Sequence, residues 1–412
     1  MNNKSILDQI ITNRQAEEVA RLDAIEIINN LLNELNDRER DVLTRRFGLH
    51  GQIKQTLEEI GRVHKLTRER IRQIEVSGIK KLRLLENLET FISGLKKVII
   101  QLLEEHGGLM EKEYLFNNLV NFSVGELKSK TENEKVHKSH FDFLISKLLP
   151  NEFEEVIGSN NFKDSFKLKY QTLDHLETLA EELFEKINQT RKLFLTEDLI
   201  NLSKELDSYK NNQEKFNTPN NLDLSEVFKK SPYTEKIEII NANKVIYSIL
   251  QAAKKIEQNK FGFWGAYDWR EIKPKTINDK IFLILKNYGK PLHFVEIAGK
   301  INQTNFDKKQ ANPATVHNEL ILDNKYILVG RGLYGLKEWG FEKGTVAEII
   351  EKVLADASGP LSREEIINKV LEQRLVKKAT VNLALMNRNK FERIEDSKYK
   401  LTNQPPKIQE SV

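Results

Sequence analysis

The spacing of apolar residues in the first hundred positions predicts a series of helices. Before residue 36, apolar residues recur three and four positions apart, as on one face of a helix. They are Ile25, Ile28, Leu32 and Leu35. Asn36 and Glu39 then form the pair typical of a helix N-cap, and Gly48 is placed to end the helix that they begin. A longer helix is expected over residues 84–106.

Residues 56–82 show the pattern of two helices joined by a short turn. Thr56 and Glu59 repeat the N-cap pair, and Thr67 begins the second helix. Gly61 allows the two helices to approach closely. The residues expected to face a core are Leu57, Ile60 and Val63 in the first helix and Ile71, Ile74, Ile79 and Leu82 in the second. The pattern predicts a helix-turn-helix.

The C-terminal third of the chain contains a repeat. Gly-Lys-Pro-Leu at 289–292 resembles Ser-Gly-Pro-Leu at 358–361, and each is followed by an acidic residue and an apolar helix. A Thr-Val pair at 315–316 recurs at 380–381, and a Tyr-x-Leu run that begins at residue 334 recurs at the same separation. Each copy is predicted to run helix, turn, helix, helix and two strands, which is the winged-helix plan.

The middle of the chain is less regular. Residues 109–170 mix helical stretches with short runs typical of strands, and residues 203–236 are expected to form a long polar loop or insertion. The predicted fold class is mainly α, a helix-turn-helix module followed by several small winged-helix (α+β) units. The predicted boundaries are 1–95 for the helix-turn-helix domain, 96–172 and 173–272 for two winged-helix-like units, 273–342 and 343–402 for the repeat, and 403–412 for a disordered tail.

Composition narrows the class of protein. The chain has no cysteine, which excludes disulfides, thiolate zinc sites and cysteine nucleophiles. It has no run of about 18 apolar residues and no secretory core, so we expect a cytoplasmic protein without a membrane segment. Paired carboxylates and a Gly-rich phosphate loop are lacking, and His293 and His317 are not at metal-ligand spacing. We therefore expect no enzyme activity, no metal and no cofactor.

Positive charge is concentrated near the N-terminus, although the net charge of the chain is only +4. Eleven of the eighteen arginines precede position 90. Guanidinium groups bind guanine edges and phosphates in a bidentate manner that lysine does not match. Nucleic-acid binding is therefore expected from the N-terminal domain and not from the chain as a whole.

The second helix of the helix-turn-helix carries side chains suited to reading bases. Four polar residues lie in its first two turns on the face away from the apolar stripe: Arg68, Glu69, Arg72 and Gln73. Arginine can hydrogen-bond guanine, glutamate can accept from cytosine N4, and glutamine can pair with adenine. Arg70, Lys80 and Lys81 flank this face and suit phosphates. The alternative is a charged, solvated helix in an ordinary bundle.

The same segment resembles region 4 of primary bacterial sigma factors. Three runs carry the resemblance: residues 36–49, Thr-Leu-Glu-Glu-Ile-Gly at 56–61 and Leu-Thr-Arg-Glu-Arg-Ile-Arg-Gln-Ile-Glu at 66–75. The resemblance implies that Arg68, Glu69 and Gln73 read a minus-35-like element of double-stranded promoter DNA, and that the domain grips the β-subunit flap of RNA polymerase. The residues expected at the DNA backbone or its edge are Arg38, Arg46, Thr56, Leu57, Glu58, Glu59, Thr67, Arg70, Lys80 and Lys81.

The C-terminal repeat resembles the HARE-type winged helix. Residues 289–298, 314–320 and 329–336 carry this resemblance, and residues 344–402 are similar to a more divergent copy. Such modules occur in the delta subunit of some bacterial RNA polymerases, in restriction endonucleases and in chromatin proteins. The resemblance leaves open whether these units contact DNA or protein.

Together these patterns predict a region 4 detached from a sigma factor and joined to other modules. Sigma factors carry region 2, which melts the minus-10 element, before region 4, and nothing similar precedes residue 36. We expect a DNA-binding transcription factor or accessory sigma-like factor without promoter-melting activity. Two alternatives remain open: a polymerase-binding protein that competes with sigma, and a DNA reader linked to restriction or modification.

Overall fold

The computed structural model describes residues 22–124, 131–228, 235–394 and 397–402. Contacts between residues divide the chain into a first unit that ends at Asp268 and a second that begins at Trp269. Among the described residues, no helix is long and apolar enough to cross a lipid bilayer.

The first unit opens with five α-helices and one 3₁₀ turn. They are α1 (Ala24–Asn33), α2 (Asp37–Phe47), the 3₁₀ turn Leu49–Gly51, α3 (Leu57–His64), α4 (Arg68–Arg83) and α5 (Leu88–Glu105). Both predicted N-cap pairs are present, and Gly48 ends α2 in the left-handed conformation at φ 65°. The core shared by α2, α3 and α4 consists of Val42, Ile60, Ile71 and Ile74, with Leu57 and Leu66 packed against it.

One expected core residue of the helix-turn-helix is not in the core. The side chain of Val63 is 54% exposed. An α-helix advances about 100° per residue, and Ile60, Gly61 and His64 occupy the side of α3 that faces the neighbouring helices. Val63 therefore lies on the flank of α3, and the expectation that it faces the core is wrong.

The rest of the first unit combines helices with two small antiparallel sheets. The larger sheet has the order β1-β3-β2, and β4 pairs with β5. The elements are β1 (Leu109–Glu111), α6 (Lys112–Val124), α7 (Thr131–Phe143), a π-helical turn (Leu144–Leu148), β2 (Phe153–Val156), β3 (Ser165–Leu168), α8 (Asp174–Thr190), α9 (Thr196–Glu205), α10 (Asp207–Lys210), α11 (Gln213–Phe216), α12 (Ser225–Phe228), α13 (Ile237–Asn241), α14 (Lys244–Ala252), β4 (Ile256–Gln258) and β5 (Trp264–Ala266).

The segment predicted as a long polar loop is partly helical. Helices α10, α11 and α12 lie within residues 203–228, the described part of that segment before residue 235. The carboxylate of Glu182 accepts hydrogen bonds from the backbone N–H groups of Asp207 and Ser208, and so caps α10 from the neighbouring helix α8. Phe216 is buried and stacks on Tyr209. These contacts fold a segment whose composition is typical of a loop.

Contacts across the predicted boundary at residue 172 are numerous and buried. Glu105 forms an ion pair with Lys244, and the side chains are 0% and 2% exposed. The Ser248 hydroxyl donates to the carbonyl of Leu109. Phe162 and Ala253 form an antiparallel bridge between residues far apart in the chain. Residues on the two sides of this boundary therefore share one core.

The second unit contains two modules of identical element order. The first, called module C1, has α15 (Ile277–Tyr288), β6 (Leu292–His293), α16 (Phe294–Thr304), α17 (Pro313–Leu322), β7 (Tyr326–Gly330) and β8 (Leu333–Leu336). The second, module C2, has α18 (Val346–Asp356), β9 (Leu361–Ser362), α19 (Arg363–Gln373), α20 (Lys378–Leu385), β10 (Phe391–Arg393) and β11 (Lys398–Leu401). In each module the last strand pairs with both other strands. The predicted fold class, a helical module followed by small α+β units, is confirmed.

Candidate DNA interface

Helix α3 begins with a complete capping box. The hydroxyl oxygen of Thr56 accepts the backbone N–H of Glu59 at 3.3 Å, and the Glu59 carboxylate accepts the backbone N–H of Thr56 at 2.7 Å. The hydrogen bonds from Thr56 hold the pKa of Glu59 below its usual value. Both side chains were predicted at the DNA backbone. In the free protein both make the capping hydrogen bonds with which α3 begins.

The turn between α3 and α4 is tight because of one glycine. A Cβ atom built on Gly61 would lie 2.7 Å from the carbonyl oxygen of Leu66. The backbone N–H of Leu66 donates to the carbonyl of Gly61 at 2.9 Å, and Lys65 between them adopts a left-handed conformation at φ 54°. Close approach at Gly61 therefore fixes the direction in which α4 leaves α3.

A half-buried carboxylate ties α3 to α2. His64 Nε2 lies 2.7 Å from Asp41 Oδ2, and Arg45 Nε donates to the same carboxylate at 2.8 Å. Burial raises the pKa of Asp41, but the hydrogen bonds from Arg45 and His64 outweigh it, so the pKa lies below its usual value. The contact between His64 and Asp41 holds the C-terminal end of α3 against α2.

The four predicted base-reading side chains share the exposed face of α4. Arg72 donates to both carboxylate oxygens of Glu69, at 2.7 and 2.9 Å, and this bond lowers the pKa of Glu69. Arg70 donates to Gln73 at 3.0 Å. Arg68 is exposed, and within the described ranges its side chain makes no hydrogen bond or ion pair. The hydrogen-bond partners of these side chains therefore lie on α4 itself, and a ligand can replace them.

One further residue belongs to this face. Val76 follows Arg72 and Gln73 by one helical turn, and its side chain is 52% exposed. An exposed aliphatic group at this position can contact the methyl group of thymine. Its spacing of four from Arg72 is the sequence signal that places it on this face, although Val76 was not among the residues predicted to contact bases.

The predicted backbone-contacting residues divide into two groups. Arg38 and Lys80 are exposed, and among the described residues their side chains lack ion-pair and hydrogen-bond partners. Glu58 pairs with Arg62 at 2.8 Å on the surface, and Thr67 caps α4 by accepting the N–H of Arg70 at 3.3 Å. Arg38 and Lys80 are the free cations of this set.

The second group is engaged inside the domain. Arg46 donates to the carbonyl of Gln55 at 3.2 Å and approaches Glu75 to 3.7 Å. Lys81 donates at 2.5 Å to Glu39, which is buried. Leu57, which was also predicted at the DNA backbone, is half-buried and packs on the core. The structure gives these three side chains structural contacts within the fold.

The charge of this region differs from that of the whole chain. Residues 36–84 contain thirteen Lys and Arg against seven Asp and Glu, whereas the remaining residues have a net charge of −2. A local excess of cations attracts the phosphate backbone, and the attraction weakens as salt rises.

A second face of the domain packs against the chain itself. The rings of Phe47 and Phe143 lie 4.9 Å apart, and Lys54 forms an ion pair with Asp142 at 3.2 Å. This face contains none of the base-reading residues. The α4 surface therefore stays open while α7 covers the region of Phe47.

Comparison with known proteins assigns this segment. Residues 31–84 match the family described as Sigma-70, region 4. They are a sigma-70 region 4 helix-turn-helix domain. The RNA polymerase sigma factors SigA of Microcystis aeruginosa and of Synechocystis sp. are each 49% identical to this chain over 67 residues. SigA1 of Synechococcus elongatus shows the same identity.

The similarity covers a small part of each protein. The aligned segment is 16% of this chain and 16% of the length of both SigA proteins, and 17% of SigA1. No solved structure matches the chain. All the residues predicted to read bases or contact the backbone lie within residues 31–84.

Proposed function

We propose that this protein is a DNA-binding transcription factor, an accessory sigma-like factor whose helix α4 reads a minus-35-like promoter element. The observation that carries the proposal is the exposed face of α4, formed by Arg68, Glu69, Arg72 and Gln73 within a region 4 domain. It acts by binding double-stranded DNA and not as an enzyme.

The hydrogen bonds on α4 suit an exchange of partners. The Glu69–Arg72 and Arg70–Gln73 pairs lie in water, where ion pairs and hydrogen bonds are weak. Breaking them to reach bases therefore costs little. Arg68 can pair with guanine, Glu69 can accept from cytosine N4, and Gln73 can pair with adenine. Arg38, Arg70 and Lys80 supply sequence-independent contacts to phosphates.

We further propose that the domain contacts RNA polymerase at the β-subunit flap without melting the promoter. Melting requires aromatic side chains that hold unstacked bases. The region 4 domain, residues 31–84, contains one Trp, Tyr or Phe, which is Phe47, and Trp264 is buried at 1% exposure. Because α7 covers the face that carries Phe47, polymerase must bind another face of the domain or displace α7.

Modules C1 and C2 are proposed to be winged helices of the HARE type. Their element order is helix, strand, helix, helix, strand, strand, and the last two strands of each form an antiparallel pair. Several weakly binding modules on one chain raise the local concentration of each, so avidity compensates for a small DNA-reading domain.

The reading of bases is tested by selection of binding sites from random duplexes. Arg68→Ala should relax the preference at one base pair and cost about 1–3 kcal/mol at the preferred site. Lys80→Ala is the matched control, because loss of a phosphate contact weakens all sequences alike. If wild type and Arg68→Ala select the same sequence with the same strength, α4 does not read bases through Arg68.

The absence of melting is tested with core polymerase and a linear promoter. This protein with core polymerase should leave promoter thymines unreactive to permanganate, and adding an ordinary sigma factor should restore reactivity. Transcription by core polymerase with this protein alone would refute the accessory role. Preferential binding to methylated DNA would instead favour a reader linked to DNA modification.

A further inference from the structure

Modules C1 and C2 can be compared position by position. Val316 in α17 and Val381 in α20 are both fully buried, and the tyrosines of strands β8 and β11 keep the same separation of 65 residues. The two third helices are therefore equivalent in the fold. Residues outside the two cores are free to differ, and the third helices α17 and α20 differ in the charge that they and their ends carry.

The third helix of module C1 is poor in cations. Helix α17 contains no Lys or Arg, and the residues at its two ends are Asn312 and Asp323. The carboxylate of Asp323 accepts the backbone N–H of Lys325 and also lies near the Lys325 ammonium at 3.1 Å. Nothing on this helix attracts a polyanion.

The third helix of module C2 has cations at the equivalent positions. Lys377 replaces Asn312, Lys378 replaces Pro313, and Arg388 replaces Asp323. All three are exposed, and their side chains have no hydrogen-bond or ion-pair partner in the part of the chain that the structure describes.

A fourth cation lies beside α20. Arg363, at the position of Phe294 in module C1, is the first residue of α19, and its Nε atom donates to Asn382 of α20 at 2.6 Å. The hydrogen bond holds this guanidinium against the third helix. Asn382 is thereby part of the same polar surface.

The cations lie at both ends of α20. At a rise of 1.5 Å per residue, the eight residues of α20 span roughly 12 Å, and Arg388 lies three residues beyond the last of them. The major groove of DNA is about 12 Å wide. The helix can therefore enter the groove with each end near a phosphate strand, and exposed Thr380 and Leu383 between the ends can face the base edges.

We propose that module C2 is a second contact for double-stranded DNA, made by α20 with Lys377, Lys378 and Arg388 at the phosphates, and that α17 of module C1 makes no such contact. The proposal extends the proposed function, because a second contact on one chain strengthens binding by α4. It does not require α4 to read sequence, since phosphate contacts are independent of sequence.

The experiment measures binding of the full chain to a random-sequence duplex over a range of salt. The triple variant Lys377→Ala/Lys378→Ala/Arg388→Ala should bind more weakly, and its plot of log affinity against log salt should be less steep by roughly 2–3. The matched control is Lys290→Ala/Lys308→Ala/Lys309→Ala, which removes the same charge from exposed positions in module C1 outside α17.

The two triple variants separate a contact from a general effect of net charge. The control should change the salt dependence little. Equal losses in both variants, or no loss in the first, would overturn the proposal. A thermal melt of each variant verifies folding, because all six side chains are exposed.

The same measurement in an Arg68→Ala background separates the two proposals. If Arg68→Ala leaves site selection unchanged but the α20 variant still lowers the salt dependence, the function proposed for α4 fails and the second contact stands. If Arg68→Ala relaxes selection while the α20 variant binds like wild type, the second contact fails and the function of α4 stands.

Discussion

The region 4 domain and the region that follows it place their charged side chains in opposite ways. On the exposed faces of α3 and α4, the pairs Glu58–Arg62 and Glu69–Arg72 join residues three or four apart, and both partners of each pair are more than half exposed. In the following region Glu105 and Lys244 pair across 139 residues, and both side chains are buried. The buried carboxylate also accepts the backbone N–H of Leu222.

The difference separates groups that serve binding from groups that serve folding. Little free energy is lost when a ligand replaces one partner of an exposed ion pair, so the residues of such a pair remain available for DNA. A buried pair has lost its water, and removing one partner leaves an uncompensated charge. Substitutions of buried charged residues should therefore lower stability, whereas substitutions of exposed charged residues on α4 should change DNA binding.

The largest effect is expected for Lys244→Met. Loss of the ammonium leaves the Glu105 carboxylate buried without its ion-pair partner, which should lower the free energy of unfolding of the first unit by about 3–5 kcal/mol. Urea denaturation followed by circular dichroism measures it. DNA affinity of the folded fraction should not change.

A surface lysine provides the control for this prediction. Lys236 pairs with Glu197 and is 69% exposed, so Lys236→Met should cost no more than about 1 kcal/mol. Similar losses for the two variants would show that the Glu105–Lys244 pair has no special role in the fold.

A smaller loss is expected from Gly61→Ala. The added methyl group would meet the Leu66 carbonyl oxygen at 2.7 Å, and this backbone oxygen cannot move without opening the turn. Overpacking of this kind costs about 1–3 kcal/mol, measured as a fall in the midpoint of denaturation. Because the turn orients α4, DNA affinity should fall as well. This substitution is therefore expected to lower both stability and DNA affinity.

Its control is another helical glycine. A Cβ atom on Gly299, an exposed position in α16, would meet nothing within 4 Å. Gly299→Ala should therefore stabilise the second unit by about 0.4–1 kcal/mol through helix propensity and a less flexible unfolded chain. Destabilisation by Gly299→Ala would contradict the steric explanation.

Local signals explain why the region 4 domain could be predicted from the sequence. The capping boxes at Asn36 and Thr56 join residues three apart, and Gly48 ends its helix without help from distant residues. The exposed face of α4 follows from helical periodicity alone. Interactions of this kind join residues close together in the chain, so a sequence segment of a few residues is enough to predict them.

Long-range contacts explain what the sequence did not reveal. Lys81 was expected at the DNA backbone, but its ammonium binds Glu39, which is 42 residues away in the chain. The cap that Glu182 supplies to α10 spans 25 residues. Neither pairing has a local signature, because both depend on how separate helices pack. The contact between α7 and the region of Phe47 was missed for the same reason.

Asp41→Asn should have a moderate effect. The variant weakens charge-assisted hydrogen bonds to Arg45 and His64, so the free energy of unfolding at pH 7 should fall by about 1 kcal/mol. The pKa of Asp41 is lower in the folded protein than its usual 3.8, so its contribution is present above pH 3.8 and disappears as the pH falls through the lower, folded value. Denaturation at a series of pH values should show the difference between wild type and variant shrinking in acid. A difference that grows in acid would contradict the direction of this shift.

The smallest effect on stability is expected for Glu69→Ala. Glu69 and Arg72 are exposed, and their pair lies within a single helix whose core contacts come from Ile71 and Ile74. The thermal midpoint should therefore stay within error of wild type, and the pKa shift of Glu69 should matter only in acid, where the carboxylate becomes protonated. Binding should respond differently, because the carboxylate can accept a hydrogen bond from cytosine N4 and alanine cannot. Site selection with this variant should lose preference for cytosine at one position. Arg72, freed from its partner, should also raise affinity for random duplexes. Unchanged selection together with a lowered midpoint would mean that the pair supports the fold, and the contrast between exposed and buried charge would not hold for α4.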